Sequence, residues 1–185
     1  KNKIKKYKGI GNGKKIVILC NGPSLNHVDF DYLIHTKVDT IGLNKINLLF
    51  NRTNFRPNYI VAINKYVIEQ NSDFYEHTNI PLFIDFNGKK MIKSKNINLI
   101  YSLPLRGQFS KNICHGYCQG YTVTFAALQL AYFMGYDQVA LVGCDHYFKD
   151  KGPPNKLVTS KGSDLNHFDI NYFSNNNKWQ LPDLI

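Results

Sequence analysis

Short apolar runs recur along the chain, each closed by a polar or glycine-containing tip. The first, Ile16-Val17-Ile18-Leu19-Cys20, leads straight into Asn21-Gly22-Pro23-Ser24. An apolar run of that length, rich in β-branched residues and stopped by Gly-Pro, predicts a buried parallel strand over Lys15–Cys20. Similar runs predict strands over Asp39–Asn44, Asn58–Asn64, Pro81–Phe86, Asn96–Tyr101 and Gln138–Asp145. Helical or turn segments separate them, which is the alternation of a parallel α/β sheet. The clearest helix is Thr122–Met134. Phe125, Leu128, Ala131 and Tyr132 repeat at helical spacing, Thr122 or Thr124 can cap its start, and Gly135 supplies a stop. It runs into the Gln138 strand, so the two form one αβ unit packed on the sheet. The expected fold class is α/β, a Rossmann-like parallel sheet flanked by helices, with a C-terminal lid or loop region.

The ends differ from this middle. Residues 1–14 read as a basic tail, 15–145 as the Rossmann-like nucleotide-binding core, and 146–185 as a lid or loop region. That last stretch holds Gly152-Pro153-Pro154 and Asn175-Asn176-Asn177 with little periodicity. It stops at Leu184-Ile185 with no evident final element, as a domain cut from a longer protein would.

A chain of 185 residues with 43% hydrophobic content is enough for one domain with a proper core. No apolar run approaches the roughly 20 residues of a membrane span, and no apolar h-region follows the basic N-terminus. The net charge is +10. Lys1, Lys3, Lys5, Lys6, Lys8, Lys14 and Lys15 concentrate part of it, which reads first as a solvated tail. The functional alternative is an anionic partner such as a nucleotide, an acidic glycan or a membrane surface. Arginine is confined to Arg52, Arg56 and Arg106, and no nucleic-acid motif accompanies the charge, so no nucleic-acid partner is expected. Cys20 and Cys144 close apolar runs and read as small hydrophobes. Cys114-His115-x-x-Cys118 offers at most three ligands, so no metal is expected there. Free thiols suit a reducing, cytoplasmic location, with contact at the inner membrane and homo-oligomer formation left open.

Chemistry is expected at the carboxyl ends of the strands, where open α/β sheets bind ligands. A strand, a tight Gly22 turn and a helix opened by Pro23 and Ser24 would leave backbone N–H groups facing one spot, which favours phosphate. Asn21, Asn44 and Asn64 close three successive runs and form an uncharged hydrogen-bonding rim. Gly143-Cys144-Asp145-His146-Tyr147 closes another. Gly143 permits close approach of a ligand, Asp145 can accept from ribose hydroxyls or hold a metal, and Tyr147 can donate to a departing phosphate. Imidazole titrates near neutrality, so His146 and His167 are candidate bases. The Asp-x-Asp pair Asp29-Phe30-Asp31 closes none of these runs, so a diphosphate clamped through a metal is not expected.

Asn21-Gly22-Pro23-Ser24-Leu25 after an apolar strand resembles the opening motif of the bacterial sialyltransferases of glycosyltransferase family 42. Later landmarks keep the same order: Asn44, then Asn64 followed by Glu69-Gln70, then Thr122 opening a helix that ends in Gly135-Tyr136, then Leu141-x-Gly143-x-Asp145-x-Tyr147. Asn-Gly-Pro-Ser-Leu, Gly-x-Asp-His and Asn166-His167-Phe168 are also similar to the Maf-type flagellin glycosyltransferases, whose superfamily includes ATP-using archaeal pterin pyrophosphokinases. The resemblance implies a metal-independent transferase that moves a sialic acid-like (nonulosonic) sugar from a CMP donor to a glycan or glycoprotein acceptor. Asn21, Gly22, Pro23, Ser24, Asn44, Asn64, Thr122, Gly143, Cys144 and Asp145 would then surround the nucleotide. His167 would be the base, with His146 and Tyr147 at the leaving phosphate, and no cofactor beyond the CMP-sugar. The chain departs from the sialyltransferases at Gly120-Tyr121, where they carry an Arg, and at His146, where they carry an aromatic residue. The alternatives are an ATP- and Mg²⁺-dependent pterin-type pyrophosphokinase or a non-catalytic module of the same fold.

Overall fold

The apolar runs form one six-stranded sheet. The computed structural model describes residues 3–105, 107–120, 122–149, 152–174 and 176–182. The sheet consists of β1 (Lys15–Leu19), β2 (Asp39–Leu43), β3 (Tyr59–Ala62), β4 (Leu82–Asp85), β5 (Ile97–Ile100) and β8 (Gln138–Val142). Their spatial order is β5-β4-β3-β2-β1-β8, and every neighbouring pair is parallel. The fold is therefore α/β and Rossmann-like. From β1 the chain steps outward in one direction to β5, then returns to place β8 on the other side of β1. This reversal makes a topological switch point between β1 and β8, the crevice where such sheets take ligands.

Alternation along the strands divides the core. Ile16, Ile18, Ile41, Leu43, Val61 and Phe83 face α4 (Val123–Met134), whose Ala126, Ala127, Leu130 and Ala131 allow close approach to the sheet. Thr122 caps this helix by accepting from the Phe125 N–H at 3.2 Å, and Gly135 ends it in the left-handed region at φ 85°. Leu19, Ile60, Ala62, Leu82 and Ile84 belong to the second apolar cluster, with residues of α2 (Lys65–Gln70) and α3 (Ser72–His77). α1 (Phe30–Thr36) is capped by the Asp29 carboxylate on the Tyr32 N–H. α4 packs mainly over β1, β2 and β3, leaving the edge strand β8 with Val139 and Leu141 37% and 42% exposed. Among the described residues no helix is long and apolar enough to cross a membrane.

Two segments depart from the sequence reading. The basic N-terminus is folded: Lys3–Tyr7 forms a 3-10 helix that buries Ile4 and Tyr7, and the Tyr7 ring meets Tyr59 and Phe83 edge-on. Lysines alternate with these anchors, which hid them in the charge run. The stretch after Asp145 is more than a loop or lid. β9 (Leu157–Thr159) and β10 (Lys178–Gln180) pair as an antiparallel ribbon, and Phe168, Tyr172, Phe173, Trp179 and Leu181 are buried in the second core cluster. A further short pair, β6 (Ser102–Leu103) and β7 (Tyr117–Cys118), is parallel.

Candidate functional site

A cavity of about 1090 Å³ opens at the carboxyl ends of the strands. Its wall includes Cys20, Asn21 and Gly22 from the end of β1, Asn44 after β2, Asn64 after β3 and Asp85 closing β4. Gly143–Phe148 after β8 and Thr122 at the start of α4 complete that side, and His167 and Tyr172 reach it from the C-terminal segment. Positions far apart in sequence thus share one wall because parallel strands all end on the same side.

The turn after β1 differs from a free phosphate cradle. Pro23–His27 is a five-residue 3-10 helix rather than a longer α-helix. The Gly22 N–H donates to Gly143 O at 2.8 Å, the Leu25 N–H to Gly22 O at 3.1 Å, and the Ser24 N–H to the Asp145 carboxylate at 3.1 Å. These donors are consumed within the protein, and a carboxylate already occupies the anion position at Ser24. Gly22 is required for another reason. Its φ is an ordinary −72°, but a Cβ would collide with the Asp145 carboxylate and stand 2.8 Å from Gly143 O. Gly22→Ala should therefore cost about 1–3 kcal/mol, the usual scale of overpacking, as a lowered urea midpoint. An unchanged midpoint would show that this contact relaxes freely.

Side-chain amides remain available in place of the turn. Asn21 is only 9% exposed, and its Oδ1 has no hydrogen-bond partner; the Oδ1 of Asn44 is likewise buried and unpaired. A buried amide acceptor left unmade costs about 1–3 kcal/mol, so a ligand donor there is favoured. Turning the amide would instead present its NH₂ to an anion. Asn44 lies close enough to Tyr172 to temper the rise that burial imposes on that phenol's pKa, yet the Tyr172 hydroxyl also completes no hydrogen bond. Asn64 is committed elsewhere. Its Oδ1 caps α2 by accepting from the Tyr66 and Val67 N–H groups, and its Nδ2 donates to Gln180 Oε1 at 2.9 Å.

His167 belongs to a carboxylate–imidazole pair. Its Nδ1 lies 2.8 Å from Asp164 Oδ2, and its ring stacks on Tyr172 at 4.0 Å with planes 1° apart. Burial raises the Asp164 pKa, but bonds from His167 and from the Asn166 and Phe173 N–H groups outweigh it and hold the carboxyl below its ordinary value. An ionised Asp164 fixes the Nδ1–H tautomer, which leaves Nε2 as an acceptor. His146 has φ 53°, and its Nε2 lies 3.3 Å from the Cys144 sulfur; Tyr147 is 67% exposed.

Lys45 ties the strand tips to the C-terminal segment. Its buried ammonium donates to Tyr172 O at 2.6 Å and to Gln70 Oε1 at 2.8 Å, and it lies 4.9 Å from the Phe173 ring centroid. Burial lowers its pKa from 10.5 to about 8, against the opposing pull of Asp164. Between these values the unfolded chain holds more protons than the native one, so stability from this group rises with pH and is lost as pH falls through about 8. Urea unfolding beside Lys45→Met should show the variant's relative stability falling as pH rises from about 7.5 to about 9.5. A pH-independent difference would contradict this assignment.

The family model described as "6-hydroxymethylpterin diphosphokinase MptE-like" matches residues 1–151. The chain belongs to the MptE-like family. No curated protein matches it. Membership associates this Rossmann-like sheet with a transferase-like module, either glycosyltransferase-like or pterin kinase-like. The matched MptE-like region carries the strand-tip residues from Asn21 to Tyr147, while Asp164 and His167 follow it.

Most of the residues singled out from sequence meet at this MptE-like cavity: Asn21, Gly22, Asn44, Asn64, Thr122, Gly143, Cys144, Asp145, His146, Tyr147 and His167 all line it. Pro23 and Ser24 are not part of the wall, and Tyr121 lies outside the described residues. Sequence reasoning missed Asp164, Asp85 and Lys45. The spacing Asp164-x-x-His167 was the available signal for the first. Asp85 is buried and accepts from the Tyr117 hydroxyl at 2.7 Å and the Asn87 N–H at 2.9 Å. Among the described residues no three His, Cys, Asp or Glu side chains converge as a metal-ligand set.

Proposed function

We propose that this chain is a glycosyltransferase that takes a nonulosonic, sialic acid-like sugar from a CMP donor and passes it to a hydroxyl of a glycan or glycoprotein. The observation that carries the reading is His167, paired with Asp164, on the wall that also holds Asn21 and Asn44, whose Oδ1 atoms complete no hydrogen bond. In such a transfer His167 Nε2 accepts the acceptor hydroxyl proton as its oxygen attacks the anomeric carbon and the sugar–phosphate bond breaks. Asp164 stabilises the imidazolium that forms. CMP leaves with one phosphate, which the amides of Asn21 and Asn44 bind, with His146 and Tyr147 as further donors. Asp145, beside Gly22, accepts from hydroxyls of the nucleoside and not from the phosphate, since two anions repel.

The family description favours a second reading, ATP-dependent diphosphoryl transfer to a pterin. That chemistry needs carboxylates that bind Mg²⁺ beside the phosphates. Asp85 and Asp145 are the carboxylates of the wall, and both are already hydrogen-bonded. Thermal unfolding with each ligand separates the readings. CMP in EDTA at about 100 times its Kd should add roughly 2.7 kcal/mol and raise the midpoint. A rise with ATP and Mg²⁺, and none with CMP, would transfer the assignment to the diphosphokinase.

A further inference from the structure

The switch point between β1 and β8 brings two thiols together on the cavity wall. The register pairs Leu19 with Val142, and the Cys20 N–H donates to Val142 O at 2.8 Å. The register thus sets Cys20 beside Gly143, one residue before Cys144; the two thiols interact, Cys144 packs on the cluster that holds Cys20, and both line the cavity. Their environments differ. Cys20 is buried, with its sulfur 3.6 Å from Thr124 Oγ1, and Cys144 is half-buried, with its sulfur 3.3 Å from His146 Nε2. We propose that Cys144 is a peroxide-reactive thiol and Cys20 its resolving partner, forming a reversible disulfide across the tips of β1 and β8.

The asymmetry sets the order of events. Reaction at sulfur needs a thiolate and access, and a neighbouring imidazole that takes the thiol proton supplies the first. Cys144 has both the imidazole and an opening to the cavity. Cys20 is buried and has no imidazole on its sulfur: burial above all pushes its thiol up to about 12, and the nearby Cys144 and Asp145 add to the rise. Hydrogen peroxide, as the oxidant, accepts the Cys144 sulfur lone pair. An S–O bond forms, the O–O bond breaks, and the departing hydroxide takes the proton held by His146 to leave as water. The product is a sulfenic acid at Cys144. The Cys20 sulfur then attacks that of Cys144; the S–S bond forms, the S–O bond breaks, and the hydroxyl leaves as water with the Cys20 proton. Two thiols are oxidised by two electrons in all, and one peroxide is reduced to two waters.

The chain also holds Cys114 and Cys118, so the test must report which thiols react. The whole chain is treated with hydrogen peroxide at a few equivalents, then analysed by intact mass and by peptide mapping without reduction. The expected result is a loss of two hydrogen atoms, a peptide pair joined through Cys20 and Cys144, and full reversal by dithiothreitol. Cys144→Ser should slow thiol loss at least ~10-fold, and His146→Ala should slow it in the same direction. In Cys20→Ala the reaction should stop at a sulfenic acid on Cys144, trapped by dimedone. If that buried substitution unfolds the chain, Cys114→Ser/Cys118→Ser serves instead and must still lose both remaining thiols. Four surviving thiols, a link through Cys114 or Cys118, or an unchanged rate in Cys144→Ser would overturn the proposal.

Discussion

Replacing His167 with alanine is expected to slow sugar transfer by about a hundredfold or more, the usual scale for removal of a general base. The Asp164 carboxylate holds Nδ1 at 2.8 Å, Tyr172 stacks flat against the ring, and Phe173 packs on it edge-on at 5.2 Å, so the imidazole is fixed on the cavity wall. Loss of the base should leave CMP binding close to wild type, because the nucleotide is assigned to Asn21, Asn44 and Asp145. Asp164→Asn should act in the same direction while keeping the ring, since an amide NH₂ opposite Nδ1 disfavours the productive tautomer. Initial rates with a CMP-activated donor, measured beside CMP affinity, separate the two effects. A His167→Ala enzyme that turns over at the wild-type rate would remove His167 from the chemistry.

The largest effect on stability is expected for Trp179→Ala, at about 3–5 kcal/mol. Trp179 is 7% exposed and stacks on Phe173 with centroids 5.3 Å apart and planes at 17°. Among the described residues its strand, β10, pairs with β9 and not with the central sheet, and Trp179 joins the ribbon to the second apolar cluster. A loss of that size is a large part of the 5–15 kcal/mol typical of a domain. Urea unfolding with a shared m-value measures it. A cost below about 1 kcal/mol, the range of surface substitutions, would mean that the C-terminal segment lifts from the core as an independent lid. The same experiment also bears on the site, because this segment carries Asp164 and brings its partner His167 to the wall.

The sheet was legible because buried parallel strands read as unbroken apolar runs. Asn21, Asn44 and Asn64 mark where those runs stop, and a parallel sheet gathers such ends on one side. α4 was legible through its Thr122 cap and Gly135 stop. α1, α2 and α3 are six or seven residues long, too short to display a helical period. The C-terminal aromatics have no period at all, because Phe168, Tyr172, Phe173 and Trp179 enter the core singly from turns and a ribbon. The Gly22 turn shows the deeper limit. Its local pattern promises free N–H groups, and the partners that consume two of them, Gly143 O and the Asp145 carboxylate, come from more than a hundred residues away. Asn64 was legible as a strand end but not as the cap of α2, although Asn is a favoured capping residue. Lys45 stayed hidden because a lysine next to a strand tip reads as solvated unless its tertiary partners are known.

The cavity at the switch point between β1 and β8 is assigned to a nucleoside monophosphate, held by amides and not by the turn. A crystal structure of the chain grown with CMP in EDTA measures this most directly. The phosphate is expected beside the Asn21 and Asn44 side chains, the ribose toward Asp145, and His167 Nε2 facing the sugar side of the phosphate. CMP bound outside this cavity, or the cavity empty at saturating CMP, would contradict it.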